Sequence, residues 1–190
     1  MKEISLKVNE LFYSIQGEGA NVGMPAVFIR LAGCNLQCSF CDTPHEDYVE
    51  MTVNAIKTEV EKHHCPNIIW TGGEPTLQLN AEILSRFKDY YQCIETNGTN
   101  KVPAGIHYIA CSAKASMAVL NKNFAKVNEI RCPIQKGDAL PDMQLLPKAE
   151  HYFVSPIDVS EENVDYCLQL IAANPQWRLS VQLHKLMEIK

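Results

Sequence analysis

Short apolar segments rich in β-branched and aromatic residues recur along the chain and alternate with stretches of helical periodicity. This alternation constrains the fold most, because repeated strand–helix units build a mostly parallel sheet. A closed eight-stranded barrel of such units takes roughly 250 residues, and the chain has 190. We therefore expect an α/β fold with an incomplete, TIM-like β/α barrel and a mostly parallel curved sheet. The predicted strands are Lys7–Tyr13, Ala26–Leu31, Ile68–Thr71, Cys93–Thr96, Tyr108–Cys111, Val127–Arg131, Tyr152–Ser155 and Leu179–Leu183.

The predicted helices begin at residues whose side chains can accept a hydrogen bond from the first turn. Thr52, Asn80 and Ser160 are such candidate N-caps. The helix after Ser160 has the clearest apolar stripe and ends before Asn174-Pro175, because the residue before proline disfavours the helical conformation. Its predicted buried side chains are Val164, Cys167, Leu168 and Ile171.

The composition excludes several classes of protein. A net charge of −5, without a run of Lys and Arg, is not typical of a nucleic-acid-binding protein. The sequence has no run of about 18 apolar residues, so we expect no membrane span. It also has no apolar signal core near residue 1, which indicates a cytoplasmic protein with reduced thiols. The 8 cysteines then favour a metal site, with Cys93, Cys111 and Cys167 as buried packing residues and no clear role for Cys65 or Cys132.

Three cysteines share one short loop, with the spacing C-x3-C-x2-C. Cys34, Cys38 and Cys41 can bind three corners of a 4Fe–4S cubane and leave the fourth iron open. Zinc is the alternative, but it prefers four ligands, and His45 is the only nearby fourth candidate. The cysteine loop follows one predicted strand, Gly72-Gly73-Glu74-Pro75 follows the next, and Asn97-Gly98 follows a third. We expect one composite site at this edge, where parallel α/β sheets place their ligands.

Five motifs resemble the 7-carboxy-7-deazaguanine synthase family of the radical S-adenosylmethionine (SAM) superfamily, and they span nearly the whole chain. They are SIQGEG (14–19), PAVFIRLAGCNLQCSFCDT (25–43), WTGGEP (70–75), ETNGT (95–99) and RLSVQLHKL (178–186). The resemblance implies a single radical SAM domain over residues 1–190. It implies the conversion of 6-carboxytetrahydropterin to 7-carboxy-7-deazaguanine with loss of ammonia, on the path to queuosine. It also implies a 4Fe–4S cluster, SAM used catalytically, Mg²⁺, an electron donor such as flavodoxin or ferredoxin, and a homodimer.

The resemblance also implies which residues bind each group. An arginine within an apolar strand suits a substrate carboxylate, since a guanidinium binds a carboxylate through two parallel hydrogen bonds. The implied substrate ligands are Ile15, Gln16, Gly17, Arg30 and Thr71. The implied SAM ligands are Phe40, Cys41, Asp42, Gly73, Ser112, Ala113 and Lys114. Thr43 is the implied Mg²⁺ ligand, and Glu74, Ser155 and Pro156 complete the candidate site.

The sequence departs from the family pattern at two positions and leaves two other functions open. Ala113 replaces a proline that is frequent in the family, and Ser155 replaces a glutamine. A radical SAM activase, which makes a glycyl radical on a partner protein, would share the cysteine loop and Gly72–Pro75. It would not account for QGEG, for Arg30 or for Asp42-Thr43. A zinc-binding interaction module is the alternative from outside the enzymes.

Overall fold

The computed structural model describes residues 3–41, 43 and 46–189. Nine strands form one sheet in the order β3-β1-β2-β4-β5-β6-β7-β8-β9. Neighbouring strands are parallel from β2 to β9, whereas β1 is antiparallel to both β2 and β3. In the described residues β3 and β9 are the two edges, so the sheet is curved and open, as predicted. The strands are β1 (Ser5–Ile15), β2 (Pro25–Leu31), β3 (Val49–Thr52), β4 (Asn67–Gly72), β5 (Tyr91–Thr96), β6 (Tyr108–Ser112), β7 (Lys126–Ile134), β8 (Lys148–Pro156) and β9 (Arg178–Leu179).

Among the described residues, four α-helices pack on the outer face of the sheet, and a short fifth helix near the C-terminus borders the cavity at the strand ends. They are α1 (Val53–Glu61), α2 (Ala81–Ser85), α3 (Met117–Asn123), α4 (Glu161–Ala173) and α5 (Leu183–Leu186). The three predicted N-caps are confirmed, because the side chains of Thr52, Asn80 and Ser160 each accept a hydrogen bond from the first turn. No helix among the described residues has the length and apolar character needed to span a bilayer.

Side chains of the parallel strands alternate between two faces and so form two layers. The outward residues Val27, Ile29 and Leu31 of β2 pack with α1 and α2 in one apolar cluster. The inward residues form a smaller apolar floor inside the curved sheet, made of Ala26, Phe28, Ile69, Cys93, Tyr108 and Ala110. Because side chains repeat on one face every second residue, the next inward residues toward the carboxyl edge are Arg30, Thr71, Glu95 and Ser112. The sheet thus places polar side chains directly above an apolar floor.

Two predictions near the C-terminus were wrong. Leu168 is 46% exposed, whereas α4 buries Cys167, as predicted, together with Asn163. The helix therefore meets β8 and β9 at a slightly different rotation from that of the apolar stripe. The predicted strand Leu179–Leu183 is limited to Arg178–Leu179. The chain then leaves β8, and the Leu183 amide donates to the Gly17 carbonyl (3.0 Å) as α5 begins.

Candidate active site

A cavity of about 420 Å³ opens at the carboxyl ends of the parallel strands. It brings together residues from distant parts of the chain, from Asn9 on β1 to Lys185 on α5, at the edge where the composite site is predicted. The predicted residues that line it are Ile15, Gln16, Gly17, Arg30, Cys34, Cys38, Phe40, Cys41, Thr43, Thr71, Gly73, Ser112, Lys114, Ser155 and Pro156. Asp42 and His45 lie outside the described residues.

Two glycines at the end of β4 bring the cysteine loop against the sheet. A Cβ on Gly72 would lie 2.0 Å from the Leu31 carbonyl oxygen, and one on Gly73 would lie 2.0 Å from that of Gly33. Gly72 also has φ +130°, which L side chains rarely adopt. The backbone at the end of β2 and at the start of the cysteine loop therefore occupies the space that side chains at these two positions would need.

The three loop cysteines differ from the other five in their surroundings. Cys34 and Cys38 are half-buried and Cys41 is exposed, whereas the other cysteines are buried. Burial raises the pKa of the Cys93, Cys111 and Cys132 thiols to about 12 and that of Cys167 to about 11. Such thiols stay protonated and do not ligate metals readily, so the loop supplies the available thiolates.

The loop residues fit an iron–sulfur cluster better than a single metal ion. The Leu36 amide and the Asn97 side-chain amide lie 3.5 and 3.9 Å from the Cys34 sulfur, where they can donate to a thiolate. Within the described residues no three His, Cys, Asp or Glu side chains converge on one point where an ion could sit. A cubane does not require such convergence, because each thiolate binds a different iron. A second cavity, of about 660 Å³, touches the same three cysteines from the side of Lys7 and Tyr48.

Glu74 belongs to the framework of the site and does not line the cavity. It is 1% exposed, and its carboxylate accepts hydrogen bonds from the side chains of Thr76 and Thr96 and from the backbone of Asn97. These bonds tie the end of β4 to the end of β5. Its role as a ligand stays a prediction, and in the structure its buried carboxylate already accepts from protein donors.

The loop after β6 directs alternate side chains into the cavity. Ser112 and Lys114 line it, and the Lys114 ammonium lies 5.7 Å from the centre of the Phe40 ring. The side chain of Ala113 instead packs against the apolar cluster of β6–β8 and α4. Ala113 can therefore contribute only backbone atoms, which explains why alanine is tolerated there. On β8, the Ser155 hydroxyl donates to the Ser180 carbonyl (3.2 Å), so it is already engaged.

Arg30 points into the cavity from β2. Its Nε lies 3.5 Å from Glu10 Oε2, and its guanidinium carbon lies 5.8 Å from the centre of the Phe12 ring. Phe12 in turn stacks on Phe28 of the apolar floor, with ring centres 5.1 Å apart. Phe12 and Phe28 thus lie beneath the Arg30 guanidinium, and the Arg30 side chain remains 24% exposed. Arg30 can therefore meet an anion that enters the cavity.

The QGEG segment crosses the inside of the curved sheet toward the C-terminal residues. The Gln16 side-chain amide donates to Glu95 Oε1 (2.7 Å), and the Gly19 amide donates to the Ser180 hydroxyl (2.9 Å). A Cβ on Gly17 would lie 2.3 Å from His184 Nδ1. The glycine at this position thus allows close packing and is not merely a flexible turn. His184 and Lys185 also line the cavity.

Sequence reasoning missed a buried ionic group around Arg131 on β7. Arg131 forms ion pairs with Glu18 and Glu95, and its Nε lies 3.0 Å from Glu129 Oε1. Although burial alone would raise the pKa of Glu18, attraction to Arg131 and a hydrogen bond from Gln182 lower it overall. Burial raises the pKa of Glu129. The available signal was a charged residue within an apolar strand, the same signal that identified Arg30.

The chain is similar to known proteins over nearly its whole length. The Radical SAM superfamily model matches residues 28–119. The 7-carboxy-7-deazaguanine synthase of Bacteroides thetaiotaomicron is 41% identical, over 97% of this chain and 98% of its own. That of Neisseria meningitidis is 37% identical, over 94% and 92%. The crystal structure of QueE from Escherichia coli has the same fold, with a TM-score of 0.72, 22% identity and 95% of each chain covered.

Proposed function

The chain belongs to the 7-carboxy-7-deazaguanine synthase family of radical SAM enzymes, and from this membership we propose that its cavity converts 6-carboxy-5,6,7,8-tetrahydropterin to 7-carboxy-7-deazaguanine with release of ammonia. The observation that carries the proposal is one cavity lined by three thiols, two arginines and three carboxylates. The thiols suit a cluster, and the other groups suit a small, charged heterocycle.

The residues nearest the cysteine loop suit the two cofactors. Cys34, Cys38 and Cys41 would hold the 4Fe–4S cluster. When bound, the cluster and SAM would supply radical chemistry directed at one hydrogen atom of the substrate. The chain contributes binding and orientation: Phe40 offers an aromatic face, Gly73 and Cys41 offer backbone groups, and Ser112 and Lys114 offer polar side chains. Asp42 and the backbone of Ala113 belong to the same proposed SAM site.

The opposite side of the cavity suits the pterin. Arg30 binds its carboxylate, because a buried anion needs a charged partner. The pyrimidine ring presents N–H groups, and ionised carboxylates accept such donors strongly. Glu18 and Glu95 line the cavity with about a fifth of each side chain exposed (20% and 21%). Ile15, Gln16, Gly17 and Thr71 complete the proposed pterin site, with Ser155 and Pro156 at its margin.

Further components belong to the same proposal. Mg²⁺ would bind near Thr43, because it retains waters and takes few protein ligands. A one-electron donor such as flavodoxin or ferredoxin would reduce the cluster. The enzyme would act in the cytoplasm as a homodimer of chains that each form a single domain over residues 1–190.

The test is turnover by anaerobically reconstituted enzyme with 6-carboxytetrahydropterin, SAM, Mg²⁺ and a chemical reductant. We expect 7-carboxy-7-deazaguanine, many product molecules per SAM, and little free 5′-deoxyadenosine, because the hydrogen atom returns to the cofactor. The activase alternative predicts no pterin turnover. Release of one 5′-deoxyadenosine per product would contradict the catalytic use of SAM.

A further inference from the structure

Four charged side chains meet on the substrate side of the cavity, and three of them, Arg131, Glu18 and Glu95, line it. Arg131 is 4% exposed and pairs with Glu18 from the QGEG segment and with Glu95 from β5. Its Nε lies 3.0 Å from Oε1 of Glu129, which is two residues earlier on β7 and 2% exposed. The group holds three carboxylates and one guanidinium. Carboxylates that lie this close together raise each other's pKa values unless a cation lies between them.

The two upper carboxylates are placed so that their oxygens remain usable. Glu18 Oε1 accepts from Gln182 (3.1 Å), and Glu95 Oε1 accepts from Gln16 (2.7 Å), while the other oxygen of each faces Arg131. A carboxylate oxygen has two lone pairs, so each group keeps acceptor capacity toward the cavity that both line. The arrangement depends on Arg131, because one terminal nitrogen of its guanidinium faces Glu18 and the other faces Glu95.

Arg131 is itself fixed from below. Glu129 accepts from the Tyr108 hydroxyl and the Ala20 amide, both at 2.8 Å. The Arg131 Nε–H does not point along its 3.0 Å contact with Glu129, so this contact is an ion pair without a directed hydrogen bond. A Cβ on Gly19 would lie 2.1 Å from Glu129 Oε1. Glu129 therefore both holds the turn after QGEG and fixes the base of the guanidinium.

We propose that Arg131 is a positioning residue of the substrate site, which holds Glu18 and Glu95 together in their ionised form so that both accept N–H groups of the substrate. This inference rests on the proposed function. It assigns Arg131 no contact with substrate, since Arg131 acts through the two carboxylates. Lysine cannot replace it, because a single ammonium cannot span two carboxylates in the fixed fork of a guanidinium.

The test compares Arg131→Lys and Arg131→Met with wild type as reconstituted holoenzyme. Lys126→Met is the matched control, because Lys126 lies on the same strand but its side chain is 61% exposed and pairs only with Glu150 in the described residues. The measured quantities are the dissociation constants for 6-carboxytetrahydropterin and for SAM, by anaerobic calorimetry, and the cluster absorbance. We expect both Arg131 variants to bind the pterin about ten- to a hundredfold more weakly. SAM binding and cluster absorbance should stay at the wild-type level.

The pH dependence separates positioning from a general loss of structure. The groups that face the two carboxylates are Arg131, Glu129, Gln16, Gln182 and His184. Without the guanidinium, repulsion between the two carboxylates raises the pKa of one of them. Pterin binding by Arg131→Met should therefore strengthen as the pH rises through that raised pKa. The wild-type profile should lack this step.

The outcomes distinguish the two proposals. If wild type does not bind the pterin, the proposed function fails, and this inference fails with it. If wild type binds and Arg131→Lys binds equally well, only the positioning role is overturned. If Arg131→Met does not fold, Arg131→Lys carries the test. If Arg131→Met binds the pterin more weakly but with the same pH dependence as wild type, the positioning role is also overturned.

Discussion

Replacement of Arg30 by methionine should separate substrate binding from stability. The side chains of Arg30 and Glu10 are 24% and 34% exposed, with Nε and Oε2 3.5 Å apart. Such a partly exposed pair contributes up to about 1 kcal/mol to stability. In a chain of this length that corresponds to a fall in melting temperature of about 2–4 °C. Methionine keeps the apolar stem that covers Phe12, so the apolar floor beneath it should stay intact.

The effect on the pterin should be much larger. Truncating the partner of a buried carboxylate removes a hydrogen bond to a charged group, which contributes about 1.5–3 kcal/mol. KM should therefore rise about ten- to a hundredfold. Glu10 would then face the substrate carboxylate without the Arg30 guanidinium between the two negative charges. The double variant Arg30→Met/Glu10→Gln should for that reason recover part of the loss.

The assay is steady-state turnover with SAM held at saturation, together with thermal unfolding. Arg86→Met is the control, because Arg86 is exposed at the end of α2, away from the cavity. It should match wild type in KM and SAM affinity. A wild-type KM in Arg30→Met would refute the carboxylate role of Arg30. A fall of more than 10 °C in melting temperature, which exceeds the about 2–4 °C expected, would show that the side chain is mainly structural.

Three further changes test other parts of the site. Cys38→Ala should lose most iron and all turnover, whereas Cys167→Ser should lower only the melting temperature; full iron content in Cys38→Ala would exclude the cluster assignment. Thr43→Ala should raise the Mg²⁺ concentration for half-maximal rate, and curves identical to wild type would remove Thr43 from the metal site. Despite burial, attraction to Arg131 holds the pKa of Glu18 below its ordinary value in the folded state, so its stabilisation is present above the unfolded-state pKa and is lost as the pH falls through the folded-state pKa. Glu18→Gln should therefore show a shallower loss of unfolding free energy between about pH 5 and pH 3 than wild type; parallel curves would contradict the pairing with Arg131.

Local patterns in the sequence predicted the features that depend on neighbouring residues. The spacing of Cys34, Cys38 and Cys41 is a property of one loop, and the N-caps at Thr52, Asn80 and Ser160 depend on three or four residues each. The strand–helix alternation predicted the mostly parallel sheet, because a helix between two strands returns the chain to the same edge of the sheet. The position of Arg30 inside an apolar strand indicated a charged group that needs a partner.

Only the tertiary structure decided the features that depend on residues far apart in the chain. Glu18 and Arg131 are 113 positions apart, and no local pattern pairs a turn after β1 with the interior of β7. Two other contacts also join residues that are far apart in the chain. The Gly33 carbonyl leaves no space for a side chain at position 73, and the Thr96 hydroxyl donates to the Glu74 carboxylate. Leu168 faces outward because the docking of α4 on β8 and β9 sets its rotation. Periodicity fixes which residues share a face, but the assembly of distant strands fixes what that face meets.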